Sequence, residues 1–417
     1  MKTEFNHRWI TFPVLLLCLS GPGLAQSTFR ARLLGTAGPS LTPYQAEAGL
    51  LVVAGTELLL FDCGRGVPEN LSLIGAPFVD KVFLSHLHSD HTEGLPILWM
   101  NELTWQSRGN TPLTVWGPGQ DVDQPAGTSD ITNLLASAFA TNTHIRRDLV
   151  EHLPGGGIQF QTNVIADEGV VYQNNGITVT AFLVDHHPVK PAFGYRIDYQ
   201  GRSIVFSGDT TASPNLVQHA KGADLLIHEV IVAPPSATTA TDAILGYHTT
   251  PEQAAGIFNQ VGPKLAVYTH IVDQVGAGTQ GLIARTRAAG YTGPLAVAGD
   301  LSYFDVGQTV TQQICPMPGP SIAALTTGSY QSKISAGDTV IVWGSDFTLG
   351  LNQLYWVPAS GNSASVILSD GNGLYYWDQS ANQINATLGP RITPGQWLVY
   401  VRNGCAQYSS PLQVTVN

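Results

Sequence analysis

Charged side chains are scarce in this sequence: 12% of its 417 residues are Asp, Glu, Lys or Arg, and acids outnumber bases by 30 to 19. A net charge of -11 repels phosphate backbones, so no long nucleic acid is expected as a partner. Long apolar runs are also missing, since no segment approaches the roughly 20 apolar residues that a spanning helix needs. No internal repeat and no low-complexity tract stands out. What is plentiful is apolar material, 43% of residues, enough for a large core and, at this length, for two domains.

Cysteine is sparse, with four residues, and the N-terminus bears on how they are used. Lys2 and Arg8 precede the short apolar run Val14-Leu15-Leu16-Leu17-Cys18-Leu19, and Gly23-Leu24-Ala25 supplies small residues before Gln26. This pattern reads as a secretory signal peptide over residues 1–25 and implies a secreted or periplasmic protein. In an oxidising compartment Cys315 and Cys405 can pair. Cys63, behind the apolar Leu60-Phe61, is then left as a buried thiol.

Histidine is absent from residues 316–417, where Ser, Thr, Asn and Gly dominate. Alternating runs there, Thr339-Val340-Ile341-Val342-Trp343 and Trp397-Leu398-Val399-Tyr400-Val401, predict a small all-β immunoglobulin-like sandwich over 315–417. The proline cluster Pro316-Met317-Pro318-Gly319-Pro320 marks the boundary. Upstream, over 26–314, strand signals at 30–34, 58–62, 81–84, 177–183, 203–207, 225–228 and 265–268 alternate with helix signals. One predicted helix runs from Gly94 to Trp105; another opens at Thr250-Pro251-Glu252-Gln253, a capping-box pattern. That alternation predicts a layered α/β domain with its site at strand ends.

The run His86-Leu87-His88-Ser89-Asp90-His91 places three imidazoles and a carboxylate just behind the strand-like Val82-Phe83-Leu84. His nitrogens and Asp oxygens are zinc ligands, and a tight turn can aim His86 and His88 at one ion and Asp90 and His91 at a second. Three further strand ends carry Asp185-His186-His187, Ser207-Gly208-Asp209-Thr210 and Tyr268-Thr269-His270, which can converge on the same rim and complete two shells. His144, His152, His219 and His228 read as solvated or structural.

Over roughly residues 28–312 these motifs, in this order, resemble the metallo-β-lactamase fold, an αββα sandwich. The segments Leu34-Gly35-Thr36-Ala37-Gly38, Phe61-Asp62-Cys63-Gly64-Arg65-Gly66, Ala192-Phe193-Gly194-Tyr195-Arg196, Ile227-His228-Glu229 and His248-Thr249-Thr250 are similar to the ribonuclease Z and arylsulfatase-like branch. The resemblance implies two Zn²⁺, with Mn²⁺ or Fe as substitutes. One ion would be held by His86, His88 and His186 and the other by Asp90, His91 and His270, with Asp209 bridging. His186 rather than His187 fits the family's pattern. It further implies hydrolysis by a hydroxide that Asp90 helps orient, with His248, held by Glu229, as the proton donor to the leaving oxygen.

Ribonuclease Z carries a long arm between the segments matched here by Tyr195 and Asp209; only a hairpin with Gln200-Gly201 at its turn fits between them. A small ester, a phosphodiester or sulfate ester, is therefore the expected substrate, with a lactonase or carboxylic-ester hydrolase as the alternative within the fold. Zinc β-lactamases and glyoxalase-II-like thioesterases match the motifs less well. A reading of another class makes the C-terminal domain, similar to IPT/TIG domains, a polysaccharide- or surface-binding module using Tyr355, Trp356, Tyr375, Tyr376 and Trp377. A homodimer stays open.

Overall fold

The computed structural model describes residues 28–417 except 40–44, 75, 77–78, 105–109, 151–154, 235–243, 314–320, 329–332, 336, 346–352, 360–373, 380–382, 389–391 and 403–408. The expected leader, His152 and the Cys315–Cys405 pair lie outside the described residues.

Two mixed sheets face each other. The first joins eight strands in the order β15-β14-β1-β2-β3-β4-β5-β6, where β1 is Phe29–Gly35, β2 Gly49–Ala54, β3 Glu57–Phe61, β4 Lys81–Phe83, β5 Leu113–Pro118, β6 Phe160–Ile165, β14 Tyr303–Val306 and β15 Val310–Gln313. The second joins seven in the order β13-β12-β11-β10-β9-β8-β7, with β7 Gly169–Asn174, β8 Ile177–Leu183, β9 Phe193–Tyr199, β10 Arg202–Phe206, β11 Leu225–Val232, β12 Leu265–Asp273 and β13 Leu295–Val297. Strands β2, β10 and β11 are buried on both faces, so their apolar residues divide by parity. On β2, Leu50 and Val52 enter the core between the sheets, while Leu51 turns to the outer helices. On β10, Ile204 and Phe206 point inward and Val205 outward.

The inner core is aromatic near the strand ends. Phe61 stacks on Phe83 at 5.0 Å and meets Tyr195 at 5.2 Å, and the buried Tyr195 hydroxyl donates to the Leu84 carbonyl over 2.6 Å. That bond satisfies the one polar atom in the cluster and ties the second sheet to the segment leading into His86.

Helices cover the outer faces, completing the expected α-β-β-α layering. Against the first sheet lie α1 (Val67–Leu73), α2 (Leu95–Thr104) and α3 (Thr128–Ala138), with the short α4 (Ala140–His144) following α3 and meeting α2 through Asn142 and Met100; against the second lie α5 (Pro214–Ala220), α6 (Pro251–Val261) and α7 (Gly278–Ala288). The capping box opens α6 as its sequence requires: Thr250 Oγ1 accepts from Gln253 N, and Gln253 Oε1 accepts from Thr250 N over 2.8 Å. Its apolar face, Ala254, Ala255, Ile257, Phe258 and Val261, is buried. No helix among the described residues is long and apolar enough to cross a membrane.

The β9–β10 connection is the two-residue turn Gln200-Gly201, with φ of 49° and 71°. Both residues sit in the left-handed region, as a tight hairpin turn demands. No arm leaves the fold there.

The C-terminal strands form a four-stranded sheet, β16-β17-β20-β19, and a three-stranded sheet, β18-β21-β22. Here β16 is Ser321–Thr327, β17 Thr339–Ser345, β18 Gln353–Pro358, β19 Leu374–Gln379, β20 Gln383–Leu388, β21 Gly395–Arg402 and β22 Leu412–Val416. Val340, Val342 and Ile384 of one sheet share a buried cluster with Leu354, Val399 and Val401 of the other, giving the expected all-β sandwich. Trp356, offered above as part of a binding platform, is 0% exposed within that cluster. It is a core residue, because β18 turns this position inward; the side chains of Tyr375, Tyr376 and Trp377 lie outside the described residues.

Candidate metal centre

Six segments deliver side chains to one end of the two sheets. Behind β4, Ser85 to His91 form a loop closed by a short 3-10 turn over Ser89–His91. His186 lies just beyond β8, and Asp209 just beyond β10. Gly208 precedes Asp209 at φ 59°, and a Cβ there would stand 2.6 Å from the Phe193 carbonyl, so only glycine lets the turn pass this close to β9. Two expectations need correction. Glu229 and His270 do not follow their strands but lie within them, because β11 runs on to Val232 and β12 to Asp273. At this point the parallel ladder slips: Glu229 pairs with Thr269 and Val230 with Ile271, leaving His270 as an unpaired bulge residue at φ 42°. A bulge re-aims a side chain, which is how a mid-strand histidine reaches the rim.

The donor atoms gather into two sets that share one oxygen. In the first set, His86 Nε2 lies 2.9 Å from His88 Nδ1 and 3.8 Å from Asp209 Oδ2. His186 Nε2 lies 3.4 Å from His88 Nδ1 and 4.0 Å from the same Asp209 oxygen. In the second set, His270 Nε2 is 3.1 Å from Asp90 Oδ2, and His91 Nε2 is 3.7 Å from it. Asp209 Oδ2 stands 3.4 Å from His91 Nε2 and 3.3 Å from His270 Nε2. A tetrahedral shell with ligand bonds of about 2.0–2.1 Å has edges of about 3.4 Å, so both sets have the size of a zinc shell. Asp209 Oδ1 and His91 Nε2 are buried with no hydrogen-bond partner among the described residues, a costly arrangement that a cation would relieve. The donors therefore fit two divalent ions, with Asp209 common to both. Asp209, His248 and His270 form a third close trio, but His248 Nδ1 is already engaged by Glu229 at 3.0 Å.

Electrostatics sort these imidazoles. Burial, together with neighbouring imidazoles, pushes His86 well below its ordinary value and His186 down to about 4, so both are neutral ligands in waiting. Burial also opposes charge on His91 and His270, yet Asp209 and Asp90 overcome it and raise both. Burial alone would raise Asp209, but His270 and His91 hold it well below the usual carboxylate range.

A second layer orients the first. His91 Nδ1 meets Asp62 Oδ2 at 2.8 Å, and the Ser85 hydroxyl donates to that oxygen at 2.8 Å while lying 3.0 Å from His86 Nδ1. His186 Nδ1 donates to the Tyr247 carbonyl over 2.8 Å. Such contacts fix which ring nitrogen faces inward. In the sequence Asp62 stands out only as part of the Phe61–Gly66 segment, and nothing local marks Ser85 or Tyr247. An aspartate directly behind the buried Leu59-Leu60-Phe61, ahead of a histidine-rich loop, is the signal for Asp62.

Beside the two donor sets, Glu229 Oε1 accepts from Thr210 N, Thr249 N and His248 Nδ1 at 3.0–3.1 Å. Burial opposes charge on His248, but Glu229 and then Asp209 raise it to about 9. The expected pairing of these two residues is present. Elsewhere, His187 is exposed, and His144 is an exposed partner of Asp148. His219 stacks on Phe182, His228 is buried against Phe258, and Cys63 is a buried free thiol.

Such a fold, with paired His and Asp donor sets at one end of its sheets, defines a metal-dependent hydrolase class. The beta-lactamase superfamily domain model matches residues 58–271, just over half of the chain, and the chain belongs to that family. It is similar to ribonuclease Z of Mycobacterium bovis (strain BCG / Pasteur 1173P2), 31% identical over 260 residues, covering 60% of this chain and 88% of the relative. Ribonuclease Z of Mycobacterium avium (strain 104) is 32% identical over 261 residues with the same coverage. Among solved structures, the metallo-beta-lactamase fold protein YhfI from Bacillus subtilis superposes with a TM-score of 0.52 at 19% identity, covering 67% of this chain and all of that one.

Proposed function

We propose that the chain is an exported binuclear metal hydrolase of small phosphodiesters or sulfate esters. The observation that carries this reading is the single oxygen, Asp209 Oδ2, standing 3.3–4.0 Å from donors of both sets, with the His248–Glu229 pair alongside. His86, His88 and His186 would hold one ion and Asp90, His91 and His270 the other, with Asp209 between them. Two divalent ions supply water activation at neutral pH and polarise the ester.

The chain's own residues account for the rest. Asp62, Ser85 and the Tyr247 carbonyl fix the ring orientations before substrate arrives. Glu229 occupies Nδ1 of His248, which leaves Nε2 to carry a proton to the leaving oxygen. Homology to ribonuclease Z supports a phosphodiester, while the two-residue turn at Gln200-Gly201 and the net charge of -11 favour a small diester over a folded RNA.

The test is metal analysis followed by turnover of bis-nitrophenyl phosphate, nitrophenyl sulfate and an acyl-homoserine lactone. Two equivalents of metal and turnover of the first or second substrate are expected, and a rate on the lactone alone refutes the reading. His248→Ala should lower kcat by about 10²–10⁴-fold at unchanged metal content.

A further inference from the structure

Tyr247 stands at the rim of the donor cluster, half-buried, directly before His248. Its backbone is pinned on both sides: its N–H donates to the Ile244 carbonyl over 3.3 Å, and its own carbonyl accepts from His186 Nδ1. Its ring meets the His186 ring edge-on, with centroids 5.2 Å apart at 82°, and the His248 ring at 4.9 Å and 47°. Among the described residues no other non-histidine ring touches both imidazoles.

We propose that the Tyr247 ring is the wall against which the leaving group lies, and that it selects esters whose leaving alcohol is aromatic. This rests on the hydrolase reading above. Because Glu229 occupies Nδ1 of His248, the leaving oxygen must approach Nε2 to within about 3 Å. The group bonded to that oxygen then extends beside a tyrosine ring whose centroid is 4.9 Å from that of His248. Tilted or offset ring pairs at centroid separations of about 4.5–7 Å are the favourable ones, so a planar aryl group gains a partner that a compact alkyl group does not. The pinned backbone holds the wall in place before binding, so little ordering is needed when the substrate arrives.

The experiment uses the full chain loaded with zinc. Its substrates are two diesters differing only in a phenyl or a hexafluoroisopropyl leaving group, alcohols of similar acidity. Its inhibitors are phenylphosphonate and cyclohexylphosphonate, with binding read by calorimetry. The wild type should favour the phenyl member of each pair by about 2- to 10-fold, expressed in KM and Kd rather than kcat. Tyr247→Phe should keep the preference, and Tyr247→Met, which keeps bulk without the ring, should abolish it; Tyr247→Leu serves as a second ring-free variant. Equal discrimination in the wild type and the ring-free variants, or none in the wild type, overturns the proposal. If no ester is cleaved but phenylphosphonate binding still depends on the ring, the hydrolase reading fails and the aromatic wall stands.

Discussion

Replacing Asp62 by Asn tests whether the second donor set depends on the tautomer of His91. In the native arrangement Asp62 only accepts: Oδ1 takes the Ser85 N–H over 2.7 Å, and Oδ2 takes the Ser85 hydroxyl and His91 Nδ1 at 2.8 Å each. His91 therefore carries a proton on Nδ1, and Nε2, which faces Asp90 and Asp209, is the nitrogen that must be free of its proton to ligate an ion. An asparagine that keeps its oxygen on the Ser85 N–H turns an NH₂ group toward His91. The ring must then move its proton to Nε2, the one atom that faces the cluster, where a protonated nitrogen cannot ligate. The opposite flip places the NH₂ group against the Ser85 N–H and leaves a buried donor unsatisfied, at about 1–3 kcal/mol. Either way the loss should match that of other partners of metal-bound histidine, about 10–100-fold in metal affinity, or about 1.4–2.7 kcal/mol. The assay is competition between chelator-stripped protein and a chromophoric zinc chelator, with circular dichroism to verify the fold. One zinc held as in the wild type and one held more weakly is the expected outcome. Two ions bound with native affinity by Asp62→Asn would refute the reasoning.

Two other measurements bear on the site and its surroundings. His186→Ala should remove most bound zinc and activity, whereas His187→Ala, at an exposed position, should alter neither; the reverse result would reassign the ligand. Asp300 accepts the Thr36 hydroxyl at 2.7 Å and Ala46 N at 2.6 Å, and burial raises its carboxyl to about 6. That value lies above the ordinary carboxylate value of about 3.9. Its protonated form is therefore the one the fold prefers, so its stabilising contribution is complete below about pH 4 and fades as pH rises through 6. The difference in denaturation midpoint between the wild type and Asp300→Asn should shrink over that interval. A pH-independent difference would contradict the assignment.

Much of this molecule was legible in its sequence, for identifiable reasons. The strand predicted at 177–183 coincides with β8, where Ile177, Val179 and Ala181 alternate with Thr178 and Thr180, and 58–62 and 203–207 fall within one residue of β3 and β10, which carry short continuous apolar runs. The seven metal-ligand candidates meet because each sits beside such a run, or within one. No strand is predicted for β2, β5, β9 or β13–β15, nor for β6 and β7, where Phe160–Ile165 and Gly169–Asn174 are half-exposed edges with mixed polarity that neither a continuous run nor a clean alternation marks. The true lengths of β11 and β12 escaped too, because the bulge at His270 is a matter of pairing between strands and leaves no trace in local composition. The roles of Ser85 and Tyr247 are equally hidden, since one acts through a hydroxyl shared by two neighbours and the other through its carbonyl.

The supernumerary position in β12 makes the length of that strand a functional quantity. A deletion of one residue between Leu265 and Thr269 would let the ladder beside β11 close without interruption; His270 would then pair with Glu229 and lose the left-handed, bulged backbone that now aims its imidazole at Asp90 and Asp209. The protein could thus lose a donor while keeping every one of its histidines, and a count of conserved ligands would not reveal the loss.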